Sequence, residues 1–103
     1  MKTYIIAYHF SSNVRNYMPF YDAIKENMPE CRHIMETAWI VKSDKTATEI
    51  RDLLMPYLHF ESFDCDSIFV CELNKENTDG MIAKSYWPFI IDKEEKKDEE
   101  KMG

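Results

Sequence analysis

The chain has 103 residues, of which 45% are apolar and 14% aromatic, enough to build one hydrophobic core and too apolar for a disordered segment. Its net charge is −6, and residues 92–101, with six acidic and four basic side chains, carry −2 of it, so the body is acidic as well. An acidic body argues against strong non-specific binding of phosphate backbones, which depends on Lys and Arg displacing counterions.

Residues 4–8, Tyr-Ile-Ile-Ala-Tyr, form a β-branched and aromatic run that suits a first strand buried on both faces, reaching His9 and Phe10. Ser11-Ser12-Asn13 supplies turn chemistry and helix-capping side chains. Tyr17, Phe20, Tyr21, Ile24 and Met28 then recur at helical spacing, and Pro29 limits that helix to about Asn27. Residues 31–36 and 38–41 are two short runs with room only for a tight connection, hence a hairpin of strands two and three. Thr46-Ala47-Thr48-Glu49 has the form of a capping box, and Ile50, Leu53, Leu54, Tyr57 and Leu58 make one apolar stripe behind it. Pro56 should kink or end that helix.

Residues 59–66 have mixed polarity and no period, and they lead into Ser67-Ile68-Phe69-Val70-Cys71-Glu72-Leu73, a fourth strand. Residues 74–80 are a turn-rich loop. Residues 81–91 are apolar enough to dock, as helix or as edge strand, and residues 92–103 form a charged tail, so one domain is expected over residues 1–91. The order β-α-β-β-α-β predicts an α+β fold of ferredoxin-like type, with both helices on one sheet face and the other face bare. A bare face or edge usually finds a partner, and a homodimer is expected.

The three cysteines, Cys31, Cys65 and Cys71, form no C-x-x-C pair and have no His at zinc-finger spacing, so reduced thiols are expected; Cys71, inside a strand, should be buried and inert. The N-terminal apolar run is too short for a signal peptide, and no segment approaches the roughly 18 apolar residues of a membrane span. A cytoplasmic protein without a membrane partner is the expectation.

Glycine-loop phosphate sites are excluded, because the only glycines are Gly80 and Gly103, and no G-x-S-x-G or H-E-x-x-H motif occurs. His9, at the end of the first strand, is the candidate catalytic residue. With Asp64 and Asp66, a pair at i and i+2 ahead of the fourth strand, it makes a candidate metal site. Arg15, Arg32 and Lys42 are the candidate nucleic-acid contacts, set among aromatic residues that are able to stack on bases.

Four blocks also carry a resemblance: T-Y-I-I-x-Y from Thr3, Y-x-A-I-K from Tyr21, E-T-A-W-I-V-K-S-D-K-T-A-T-E-I-R-D-L-L from Glu36, and I-F-V-C-E-L-N from Ile68. Over residues 2–73 the chain resembles the SinR-like group of small proteins, which is in turn similar to the small CRISPR adaptation protein of ferredoxin-like fold. The resemblance implies a symmetric dimer and, in some members, metal-dependent nuclease activity resting on an aspartate that ends the first strand of each protomer. Here that place holds His9. A neutral imidazole does not supply the anionic oxygen that Mg²⁺ prefers, although it suits a softer ion such as Zn²⁺ or Mn²⁺. The expectation is therefore a non-catalytic dimeric binding or scaffold protein without a cofactor, whose partner is a nucleic acid or a protein. The alternatives are a metal-dependent endonuclease acting on RNA or DNA with a divalent ion, and a toxin-antitoxin or phage-defence component.

Overall fold

The computed structural model describes residues 1–61 and 64–92. In chain order its regular elements are β1 (Lys2–His9), α1 (Met18–Asn27), β2 (Cys31–Met35), β3 (Ala38–Ser43), α2 (Ala47–Leu54), β4 (Phe60–Glu61), β5 (Asp64–Cys65), β6 (Ser67–Glu72) and α3 (Trp87–Ile90). They fall in two units, Met1–Leu73 and Asn74–Gly103.

In the first unit β1 is the centre of a four-stranded antiparallel sheet of order β2-β3-β1-β6. Ile6 lies opposite both Trp39 of β3 and Val70 of β6. Side chains alternate across a strand, so Tyr4, Ile6 and Tyr8 share one face with Trp39 and Val41. Phe20, Ala23 and Ile24 of α1 and Ile50 and Leu54 of α2 cover that face, and all ten belong to one buried cluster. The fold class is thus α+β, with α1 and α2 on one side of the sheet.

The first strand departs from the expected two-faced burial. Tyr4, Ile6 and Tyr8 on the helix side are buried, whereas Ile5 and Ala7 on the other side are half-buried and His9 is exposed. That second face is not uniformly bare either: Thr3, Ala38 and Ile40 are buried on it, while Phe69 is 66% exposed. Cys71, expected to be buried, is exposed. It lies on an edge strand and points away from the helices, and both facts follow from sheet order rather than from local pattern.

Residues 11–13 do not cap α1. The helix begins at Met18, with Pro19 in its first turn, where a missing N–H costs nothing, and Asn16 Oδ1 accepts from Met18 N at 3.0 Å. The second helix starts as expected: Thr46 Oγ1 accepts from Glu49 N at 3.1 Å, and Glu49 Oε1 accepts from Thr46 N at 2.8 Å. At Pro56 the α-helix gives way to a 3₁₀ turn over Met55–Tyr57. Residues 59–66 contain a small hairpin of β4 and β5, with Phe60 opposite Cys65.

In the second unit, a 3₁₀ turn over Lys75–Asn77 is capped by Asn74, whose Oδ1 accepts from Glu76 N, and Lys75 pairs with Asp92. Residues 81–91, open between helix and strand from sequence, adopt a 3₁₀ turn (Lys84–Tyr86) that runs into α3, where Phe89 and Ile90 are buried. The expected charged tail lies, from residue 93 onward, outside the described residues. No helix among the described residues is long and apolar enough to cross a membrane.

Candidate functional site

The polar chemistry of the first unit gathers where β1 ends. Asp66, one residue ahead of β6, is 1% exposed. Its Oδ1 accepts three hydrogen bonds, from Ser11 N at 2.8 Å, Ser11 Oγ at 2.9 Å and the Tyr17 hydroxyl at 2.8 Å. Its Oδ2 accepts from His59 N at 2.9 Å, and Asp66 N in turn donates to His59 O at 2.7 Å. Burial by itself pushes the Asp66 carboxyl up. The bonds from the Ser11 and His59 amides and the Tyr17 and Ser11 hydroxyls outweigh that effect and hold it below the usual carboxylate range. Burial, and then the bond to Asp66, push the Tyr17 hydroxyl up. One carboxylate thereby ties together the loop after β1, the residue just ahead of α1 and the segment ahead of β4. Phe10 reinforces the tie by stacking on Tyr17, with ring centroids 3.6 Å apart and planes 5° from parallel.

A second network lies beside it. The Trp39 indole donates to Tyr8 Oη at 3.0 Å, and the Tyr8 hydroxyl donates to Glu36 O at 3.0 Å. His33 Nε2 is 3.1 Å from the same oxygen, and the His33 ring is stacked on Trp39 at 4.4 Å. Burial is the largest influence on Tyr8 and pushes its hydroxyl far above the ordinary tyrosine range, so it remains a neutral phenol at any physiological pH. Between the two networks, His9, Phe10, Ser11, Ser12, Asn13 and Glu36 line an open cleft.

His9 thus sits on the rim of a polar cleft, opposite Ser67 in the sheet register. Asp66 is brought to the same end of the sheet, but its carboxylate is turned into the Ser11 and Tyr17 contacts, with both oxygens already accepting. A cation there would have to displace amide and hydroxyl donors. The Asp64 side chain lies outside the described residues. Among those described, no group of three or more His, Cys, Asp and Glu side chains is placed to hold a metal ion.

The three basic candidates divide. Arg32 and Lys42 project to the sheet face away from the helices, as their register partners Ile40 and Thr3 show, whereas Arg15 hydrogen-bonds the Tyr17 hydroxyl in the loop before α1. Burial raises the Cys31 thiol, which makes it a poor nucleophile. Cys65 and Cys71 donate to neighbouring carbonyl oxygens, Asp66 O at 3.2 Å and Glu72 O at 3.4 Å.

Tyr17, Ser11, Tyr8, His33 and Trp39 are the site residues that sequence reasoning missed. Tyr8, Tyr17 and Trp39 read as apolar packing residues, and no spacing rule links a hydroxyl near the N-terminus to an acid 49 or 55 positions later.

Comparison with protein-family models, with curated proteins and with solved structures found no match to this chain.

Proposed function

We propose that this chain is a non-catalytic, homodimeric binding or scaffold protein of ferredoxin-like architecture, similar in kind to the CRISPR adaptation proteins that its sequence resembles. The strand order β2-β3-β1-β6 with two helices on one face supports the architecture. The observation that carries the functional reading is the state of Asp66. Asp66, the described carboxylate expected to join His9 in a metal site, is buried and already accepts four protein hydrogen bonds, so it works as a structural tie. His9, where the resemblance calls for an anionic ligand, carries an imidazole. Arg32 and Lys42 on one sheet face give a nucleic acid its contacts, and an acidic body restricts such binding to specific ligands.

The exposure of His9 on the cleft with Ser11 and Ser12 favours the second reading, a divalent-metal-dependent endonuclease. Labelled single- and double-stranded RNA and DNA, incubated with the protein in Mg²⁺, Mn²⁺ or EDTA beside His9→Ala, separate the two. The binding reading predicts mobility shifts without cleavage in every metal condition. Metal-dependent cleavage that disappears in His9→Ala would replace it with the endonuclease. Neither shift nor cleavage would redirect the reading to a protein ligand, to be sought by copurification.

A further inference from the structure

β6 is an outer strand of the sheet, paired on one side with β1 and on the other with no described residue. Which backbone groups face that free side follows from one bond. Leu73 N donates to Thr3 O at 2.8 Å, and these two residues continue the β1–β6 register by one step beyond Tyr4 and Glu72. In an antiparallel ladder every second residue exchanges both of its bonds with the residue opposite. Ser67, Phe69 and Cys71 share the parity of Leu73 and therefore turn their N–H and C=O groups to β1. Ile68, Val70 and Glu72 present three N–H and three C=O groups to the free edge. The bond from Tyr8 N to Thr37 O, on the opposite side of β1, has the parity this requires.

We propose that this edge pairs with the same edge of a second copy of the chain, β6 antiparallel to β6, about a two-fold axis through Val70. The proposal rests on the dimeric reading above and names its interface. With the axis at Val70, Ile68 meets Glu72 of the partner subunit and Val70 meets its own counterpart, so all six free groups on each strand are bonded within the two strands. Moving the axis to Glu72 sets two carboxylates face to face, and moving it to Phe69 sets Glu72 against Asp66 of the partner subunit.

Side-chain chemistry selects the same register. Glu72 and Ile68 share the helix-covered side of the sheet with Tyr4 and Tyr8. On that side Arg51 of α2 lies beside Ile68 and Val70, lining the clefts between α2 and β6; it is 51% exposed and donates from Nε and Nη2 to the exposed Asp52 carboxylate, so a second carboxylate would join an existing surface pair. Glu72 of the partner subunit, placed opposite Ile68, arrives next to Arg51, and the symmetry makes this ion pair twice. On the other side, Phe69, exposed over 66% of its surface, lies across from Cys71 of the partner subunit and gains the apolar cover it lacks in a single chain.

Sedimentation equilibrium of the full chain over a wide concentration range tests this with Arg51→Glu, Glu72→Arg and the double reversal. Arg51 and Glu72 are both exposed, and circular dichroism confirms that each variant is folded. Each single reversal is expected to weaken dimerisation by roughly tenfold or more, and the double reversal to restore it. A dimer unmoved by the single reversals, or one that the double reversal fails to restore, overturns this interface and leaves the dimeric reading standing. A wild-type chain that remains a monomer overturns both.

Discussion

The Tyr17 hydroxyl donates a 2.8 Å hydrogen bond to Asp66 Oδ1 across 49 positions of sequence, joining the residue that precedes α1 to the residue that precedes β6. The same oxygen accepts from both the amide and the hydroxyl of Ser11, so the loop that carries the cleft is held by an acid on another segment.

Replacing Asp66 is therefore expected to damage the fold more than any surface change. Asp66→Asn keeps the shape but aims an amide N–H₂ at groups that are themselves donors. We expect a loss of about 3 kcal/mol, with charged hydrogen bonds removed and buried donors left unpaired. In a domain of this size that corresponds to a fall in Tm of more than about 10 °C. Urea and thermal unfolding of the two proteins measure it, and a difference within about 0.5 kcal/mol, the range of ordinary surface substitutions, would show that Asp66 is not a tie.

The lowered Asp66 pKa also sets a pH dependence. A carboxyl held below its unfolded value contributes stability that is fully present above the unfolded pKa of about 3.9 and is lost as pH falls through the folded value. Glu49, lowered by its bonds to the Thr46 backbone and side chain, contributes with the same sign. The stability gap between the parent protein and Asp66→Asn should accordingly be constant at neutral pH and shrink below about pH 4. A gap that widened on acidification would contradict the assignment.

Tyr8→Phe removes the acceptor of a buried indole N–H and the donor to Glu36 O. The expected cost is about 1 to 2 kcal/mol, and Trp39 gives it a spectroscopic readout. Since Trp39 is 4% exposed, its emission should shift in the folded variant, while the emission of a Thr46→Ala control stays where it is. The control itself, losing its helix cap, should be destabilised by about 1 kcal/mol.

His9→Ala should leave stability within about 0.5 kcal/mol of the parent, because His9 is exposed at the end of β1. Denaturation curves check this directly. A larger loss would mean that the imidazole is part of the fold, and His9→Ala would then no longer serve as a clean probe of the cleft.

Much of the fold was readable because its signals are local. The apolar run of β1, the helical spacing of Phe20, Ile24, Ile50 and Leu54, and the Thr46 to Glu49 box each lie within a few consecutive turns of chain. Backbone geometry converts such spacing directly into a buried face. The halt of α2 at Pro56 is local in the same way, since a missing N–H and a ring clash act on the preceding turn. The start of α1 was misplaced because Ser11 and Ser12 have the chemistry of helix caps. Ser11 spends it instead on Asp66, 55 positions away, and Ser12 on the Val14 amide.

By itself, then, the sequence determined that β1, β2, β3 and β6 are strands and α1 and α2 helices, and which face of each helix is apolar; it left residues 81–91 open and did not show the β4–β5 hairpin. Only the tertiary structure decided that β6 is an edge, leaving Cys71 and Phe69 exposed, that Asp66 is a buried tie and not an open ligand, and that Tyr8, His33 and Trp39 share one hydroxyl oxygen. The reason is physical: local pattern sets which backbone conformations are favoured, whereas strand order and the pairing of buried polar groups depend on partners tens of residues away. Their hydrogen bonds exist only once the sheet and helices have closed around them.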